Sequence, residues 1–345
     1  MAGASAAPAI LFERQPMVRI SSFGILASLA LVSGCDSFKS VKTTKQPSEK
    51  GMATLICNVP ASKSEIVDSL ACNTHGIAIG SIAKTEQQTA ILRYADYTLG
   101  NVRKIAEIGD EAFYALSFFK HGQKLITCGL SGSLSVYDMT SMKLDKSFPV
   151  DSGEPINAID VTGSIAGIVG DGKRAHLVDL DKVTSISVPG GKYPYKSCCF
   201  SPDGSYLLIA DLAGSVRKLD VKTGSELGKF TSVSQVVSVA VSSDGKQLAI
   251  ASPLGLVTTY DAHSYSKILQ DNLADSISSI AYLPKRGHLA VCHSSGVSLL
   301  EATSLKVLDV LKKSSANSRL MKVSADGGII AVAYDDSTIG IWTLD

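Results

Sequence analysis

A turn glycine recurs along this chain at nearly constant spacing: Gly76, Gly122, Gly163, Gly204, Gly245, Gly287 and Gly327, mostly 41 residues apart. The clearest unit, Ser201–Asp220, runs turn glycine, apolar strand, second turn, closing aspartate. The closing acid keeps step, since Asp138, Asp179, Asp220 and Asp261 each lie sixteen residues after their glycine. Thr343 takes that place in the last unit, and Glu301 arrives two residues early. Seven units of about 40 residues, each built of short strands, are the sequence signature of an all-β, seven-bladed β-propeller with four-stranded antiparallel blades.

Four strands can be read in the unit around Gly204. They are Lys196–Ser201, Ser205–Ala210, Ser215–Leu219 and Glu226–Phe230, separated by turns at Pro202-Asp203-Gly204 and Gly214. Asp203-Gly204, Asp244-Gly245 and Asp326-Gly327 place a turn-forming acid before a residue that tolerates positive φ, as a tight hairpin demands. Leu125, Leu207, Leu248 and Ile330 share one position of the second strand; Ile168, Ile209, Ile250 and Val332 recur two residues on. Intervening residues such as Ala210, Ala249 and Ala331 are also small and apolar. Both faces of that strand are therefore expected to be buried, as packing a blade between two neighbours requires.

The stretches SPDGSYLLIAD, SVYD, RKLDV with its following KTG, TTYDA and the terminal Gly340–Trp342 resemble the WD-repeat family over about Ala53 to Asp345. The spacing is specific and the motif degenerate. The family's Gly-His dipeptide does not recur with the repeat, the one Gly-His being Gly287-His288 at a turn glycine, and Trp342 alone stands for its tryptophan, so the family's hydrogen-bonded tetrad is not assembled. The closing acids Asp138, Asp220, Asp261 and Glu301 each precede Ser141, Thr223, Ser264 or Ser304 by three residues, a pairing that stabilises the turn into the fourth strand. The last unit stops in its third strand. Ala53–Val59 can supply the missing fourth and close the ring, the interlock that WD-repeat propellers use.

The propeller is assigned to residues 52–345. Residues 1–34 read as a signal peptide with Met17 as the true start: Arg19, an apolar run from Ile20 to Val32, then small residues before Cys35. The run is short of the roughly 20 residues a membrane span needs. Val32–Cys35 is similar to the bacterial lipobox, which implies a lipidated Cys35 as mature N-terminus; an ordinary secretory signal or a short anchor is the alternative. Residues 35–51, with lysines at 39, 42, 45 and 50, read as a flexible tether. The expected location is the cell envelope, facing the periplasm or exterior, with a membrane contact through the N-terminal lipid.

The formal charge is +1, from 33 basic and 32 acidic residues, which gives no bulk pull toward nucleic acid. Apart from Cys35, six cysteines remain without a metal-ligand, redox or haem-attachment spacing; Cys57 with Cys72, near the closure seam, is the pair to test for a disulfide. His75 and His121 sit before turn glycines, where other units place aspartate. There is no nucleophile elbow, and Gly190-Gly191 reads as a loop. A single tryptophan does not match the repeated pattern of quinone-dependent dehydrogenase propellers. No catalytic residue, metal site or cofactor is therefore assigned. A propeller hydrolase of the lactonase type is the alternative; it needs acids, histidine or arginine converging on the central channel, and no such set is read from the sequence.

The loops joining blade to blade and second to third strands share one face in propeller geometry. That face is the candidate partner-binding surface: Asp110, Glu111, Asp151, Glu154, Asp171, Lys173, Arg174, Lys192, Asp211, Asp335 and Asp336, with Tyr193 and Tyr195 as aromatic contact surface. Solvated loop charge is the plainer account of the same residues. The functional expectation is a lipid-anchored, non-catalytic scaffold for protein partners, similar in organisation only to the propeller lipoprotein of the outer-membrane barrel-assembly machinery.

Overall fold

In the computed structural model, the described residues are 42–60, 64–83, 88–97, 101–150, 153–232, 234–273, 275–284, 286–313 and 316–344. They form twenty-nine strands, β1–β29 in chain order, arranged as seven antiparallel sheets with no helix among the described residues. The first strands of the blades are β3 (Glu65–Cys72), β7 (Phe113–Phe119), β11 (Ile156–Thr162), β15 (Tyr195–Phe200), β19 (Ser238–Val241), β23 (Ile277–Leu283) and β27 (Ser318–Val323). Each is followed by second, third and fourth strands in simple meander order, except in the seventh blade.

There the fourth strand comes from the other end of the chain. β2 (Ala53–Pro60) pairs antiparallel with β29 (Thr338–Leu344), with Thr54 opposite Thr343 and Leu55 opposite Trp342. The closure expected of Ala53–Val59 is therefore present. The expected tether is corrected at its distal end, because β1 (Lys42–Pro47) adds a fifth strand outside β2, with Lys42 opposite Asn58 and Pro47 opposite Thr54. Residues 1–34, Cys35 and the segment up to Val41 lie outside the described residues.

The burial pattern follows from the strand period of two. In β28 (Ile329–Tyr334), Ile329, Ala331 and Ala333 pack with Val67, Leu70, Ile77 and Ile79 of the first blade. Ile330, Val332 and Tyr334 face the other way, with Ala290, Cys292 and Leu299 of the sixth blade and with Trp342. The same strand thus belongs to two interfaces, and all six of its residues are buried. Such a residue has no void to collapse into; truncating Ile330 to alanine costs about 2–5 kcal/mol.

The turn chemistry accounts for the regular spacing. Ser201, Ser242 and Ser324 each donate their hydroxyl to the aspartate two residues on, at 2.6 Å in all three cases. Gly204 and Gly245 donate their N–H back to the carbonyls of Ser201 and Ser242 at 2.9 Å. Gly204 sits at φ +69°, where a side chain would be strained and would also meet Thr162. The closing-acid pairs form as expected: Asp220 accepts the Thr223 N–H at 2.7 Å and its hydroxyl at 2.8 Å, and Asp261 accepts the same pair from Ser264 at 2.7 and 2.8 Å. Those from Ser141, joined by Lys124, hold the Asp138 carboxyl down to about 2.

Candidate functional site: the loop face and the central channel

Pairing puts the candidate loops at one end of the ring. Tyr195, at the start of β15, pairs with Asp211 at the end of β16 (Tyr206–Asp211). Ser215, at the start of β17 (Ser215–Asp220), pairs with Thr231 at the end of β18 (Glu226–Thr231). Blade-to-blade loops and second-to-third-strand loops therefore open on the same face.

The candidate residues on that face divide into two sets. Asp110, Glu154, Lys173, Arg174, Lys192, Asp335 and Asp336 are exposed, as is Tyr193 at 41%. Asp336 is tied to Lys313 and accepts the N–H and hydroxyl of Thr338 at 3.0 and 2.6 Å. Asp335 accepts the Asn317 side-chain amide at 2.8 Å. Asp171 is half-buried between Asn157 at 2.8 Å and Lys196 at 3.1 Å. Asp151 lies outside the described residues.

Three assignments to that surface are corrected. Tyr195 is fully buried at 0% exposure, and its hydroxyl accepts from Arg217 at 2.7 Å, so it offers no contact surface. Asp211 is 4% exposed and caps the Gly214 turn through the N–H groups of Ala213 and Ser215. Glu111 Oε1 accepts the N–H groups of Leu130 at 2.7 Å and Ala112 at 3.0 Å, joining the entry to the second blade to its own Ser131-Gly132 turn. In the cases of Asp211 and Glu111 a polar side chain satisfies backbone that the loops would otherwise leave unpaired. Apolar residues that the charge-based reading passed over are exposed on the same face: Leu212 at 40% and Leu254 at 69%, both in second-to-third-strand loops.

Beneath the face lies a central cavity of about 570 Å³ lined by the first strands. Six of the seven first strands carry a register shift where they leave the loop face, between Val67 and Ser69, Phe113 and Ala115, Ile156 and Ala158, Tyr195 and Ser197, Ile277 and Ser279, and Ser318 and Leu320. A bulge inserts one unpaired residue and re-aims its side chain. The inserted residues are Asp68, Tyr114, Asn157, Lys196, Ser278 and Arg319, and the first four line the cavity. Burial pushes the Asp68 carboxyl up to about 6, against the opposing pull of Arg319. Its Oδ2 is buried without a hydrogen-bond partner among the described residues. Tyr114 is raised as well, by burial and then by the negative charges of Asp68, Glu111 and Asp171.

The channel thus carries the charged set that was not read from the sequence: Asp68 and Asp160 among the acids, Lys196, Arg319 and Lys322 among the bases. Among the described residues, no three His, Cys, Asp or Glu side chains converge to hold a metal ion. The thiols are structural in character. Cys72 and Cys199 are pushed up to about 12 by burial, and the Cys72 thiol is free; the Cys57 side chain, its proposed disulfide partner, is outside the described residues.

No family model matches the chain. Over 185 residues, 52% of this chain, it is 25% identical to the human WD repeat-containing protein 36, of which it covers 20%. A chain in the crystal structure of the mitotic checkpoint complex superposes with a TM-score of 0.72 at 13% identity, covering 95% of this chain and 99% of that one. The protein is a seven-bladed β-propeller. Its spacing, turns and ring closure are those of a WD-repeat-like propeller.

Proposed function

We propose that this chain is a non-catalytic scaffold for protein partners, lipid-anchored at Cys35 and facing the periplasm or cell exterior. The observation that carries the docking reading is the loop face: exposed Tyr193, Leu212 and Leu254 beside charged loops on a closed, rigid ring. Aromatic and apolar anchors ringed by charge are the composition of a protein-binding patch, the anchors supplying affinity and the charges steering and selecting. The human relative is a WD repeat-containing protein, and the superposed chain comes from a protein complex, which supports the same reading. The anchor rests on Val32–Cys35 and the apolar run before it.

Mass spectrometry of the mature N-terminus tests the anchor: an acylated Cys35 is expected, and a chain that retains residues before it removes the membrane reading. Affinity recovery from envelope extracts tests docking. The charged channel favours one competing reading, a propeller hydrolase of the lactonase type. Hydrolysis of lactones by the purified protein at enzymatic rates would replace the scaffold reading.

A further inference from the structure

Below the bulges, backbone register fixes a second ring of residues, one from each blade. Ala71, Ser117, Cys199, Ala240 and Ala281 pair with Ala78, Ile126, Leu208, Ala249 and Ala290 of their second strands. Asp160 pairs with Gly167 and Lys322 with Ala331 at the same level. From the second blade to the seventh, these second-strand partners follow one another at the 41-residue repeat. Five small side chains widen the channel here, and the two long polar ones stand on the third and seventh blades, across the ring from each other.

The two charges are not in the same position. Asp160 accepts the N–H of Phe200 at 2.7 Å and of Val161 at 2.9 Å, so its carboxylate is committed to the seam between the third and fourth blades. Lys322 is exposed to the channel, and among the described residues it makes no ion pair or hydrogen bond. It lines the same cavity as Asp68, Tyr114, Cys199 and Ala240 of other blades, which places it on the inner wall of the ring. Arg319, three residues earlier on β27, stands at the bulge level and likewise makes no ion pair among the described residues. Against these two cations the channel sets two acids, Asp68 and the backbone-held Asp160, while Lys196 is paired with Asp171. The charges of the channel therefore nearly balance, and a lone ammonium with no positive surplus around it matches a single carboxylate better than a dianionic phosphate.

We propose that the central channel is a carboxylate-binding site, in which Lys322 receives an acidic side chain from the docked protein partner and Arg319 draws it through the mouth. The source of the carboxylate rests on the docking reading; the site itself does not. Inside a narrow channel, an ammonium–carboxylate contact is a charge-assisted hydrogen bond in a medium that screens less than bulk water. The small residues at its level leave room for a slender side chain to arrive.

The probe is a short blocked peptide, acetyl-Gly-Glu-Gly-amide, titrated into the full chain carrying ¹³C-labelled alanine methyls. Ala71, Ala240 and Ala281 report from the ring itself. Their methyl signals should shift with the glutamate peptide, and about tenfold more weakly or not at all with glutamine and lysine versions. Lys322→Met should lose the response by about tenfold or more, Lys322→Arg should restore it, and Asp68→Asn should tighten it by removing the opposing charge. Unchanged melting of Lys322→Met checks that the ring is intact. Equal shifts from all three peptides, no shift at peptide concentrations on the order of 10 mM, or a full response in Lys322→Met would each overturn the proposal. A channel that ignores the peptides in a protein that still recovers its partner through the loop face removes this inference and leaves docking standing.

Discussion

Asp309, on the fourth strand of the sixth blade, accepts the backbone N–H of Met52 at 2.9 Å, across 257 residues of chain. The same carboxylate accepts the Lys50 N–H at 2.8 Å and the Ser48 hydroxyl, and Ser48 Oγ in turn accepts the Ala53 N–H at 3.0 Å. Asp309 is 0% exposed. It therefore fixes the turn between β1 and the ring-closing β2 to the neighbouring blade, so closure depends on a side-chain clamp as well as on strand pairing.

Asp309→Ala should leave the Lys50 and Met52 N–H groups without acceptors, at a cost of about 2–4 kcal/mol. Hydrogen exchange at Lys50 and Met52 should lose protection while the Gly204 turn keeps its own. The sign of the pH dependence follows from the carboxyl. Burial pushes it up, but the hydrogen bonds from Ser48, Lys50, Met52 and Val310 outweigh burial and hold it below 3.8. Its contribution to stability is therefore full above the unfolded value and is lost as pH falls through the lowered one. Loss of stability on acidification below about pH 4 should be smaller in Asp309→Ala than in the parent chain.

The first blade holds a buried ion pair whose two halves should behave unequally. Arg93 meets Glu65 in a two-pronged contact, Nη1 to Oε2 at 2.6 Å and Nη2 to Oε1 at 2.9 Å, with both side chains under a tenth exposed. Removing one partner strands a buried charge. Arg93→Met or Glu65→Leu alone should cost about 3–5 kcal/mol in urea unfolding, and the double variant should recover much of that loss. Equal losses in the double and single variants would mean that the pair acts through packing.

The turns and ring closure are legible in the sequence because their chemistry is local. Ser201, Asp203 and Gly204 make their bonds within a few residues, and the apolar run of Ala53–Val59 needs only an unfilled edge. β1 is not legible, since KTTKQP has the polar composition of a linker and pairs through its backbone alone as far as its sequence shows. Glu111 and Asp211 read as surface because a loop charge that faces solvent and one that caps a turn look identical until the strand boundary is known, and Tyr195 because its strand, read from Lys196, begins one residue earlier. The channel residues were missed because each bulge moves the inward-facing position by one, breaking the period of two at Asp68, Lys196 and Arg319. The available signal was a polar residue embedded near the start of each first strand.

Asp68 should cost the fold stability at neutral pH. Its carboxyl is raised to about 6 from 3.8, so its contribution is full below the unfolded value and is lost as pH rises through about 6. Asp68→Asn should therefore stabilise the protein by about 1 kcal/mol at pH 7.5, after allowance for solvent screening, and by nothing measurable at pH 4. Thermal melting at the two pH values checks this. A uniform shift at both would point to a change in packing rather than in charge.

The loop face separates docking from structure within one set of acids. Asp110 and Glu154 are exposed, whereas Glu111 holds the N–H groups of Ala112 and Leu130. Asp110→Lys with Glu154→Lys should weaken partner recovery and leave the melting temperature nearly unchanged, because surface substitutions away from caps and cores move stability by about 0.5 kcal/mol or less. Glu111→Gln should do the opposite: it removes the carboxylate charge from a turn that two backbone donors depend on, lowering stability by about 1 kcal/mol while the exposed charges stay in place. Replacing Leu254 with serine adds a third arm, since an exposed apolar anchor contributes to binding and little to the fold. Partner recovery that survives both the charge reversal and Leu254→Ser would move the docking site away from this face, whatever the melting data show.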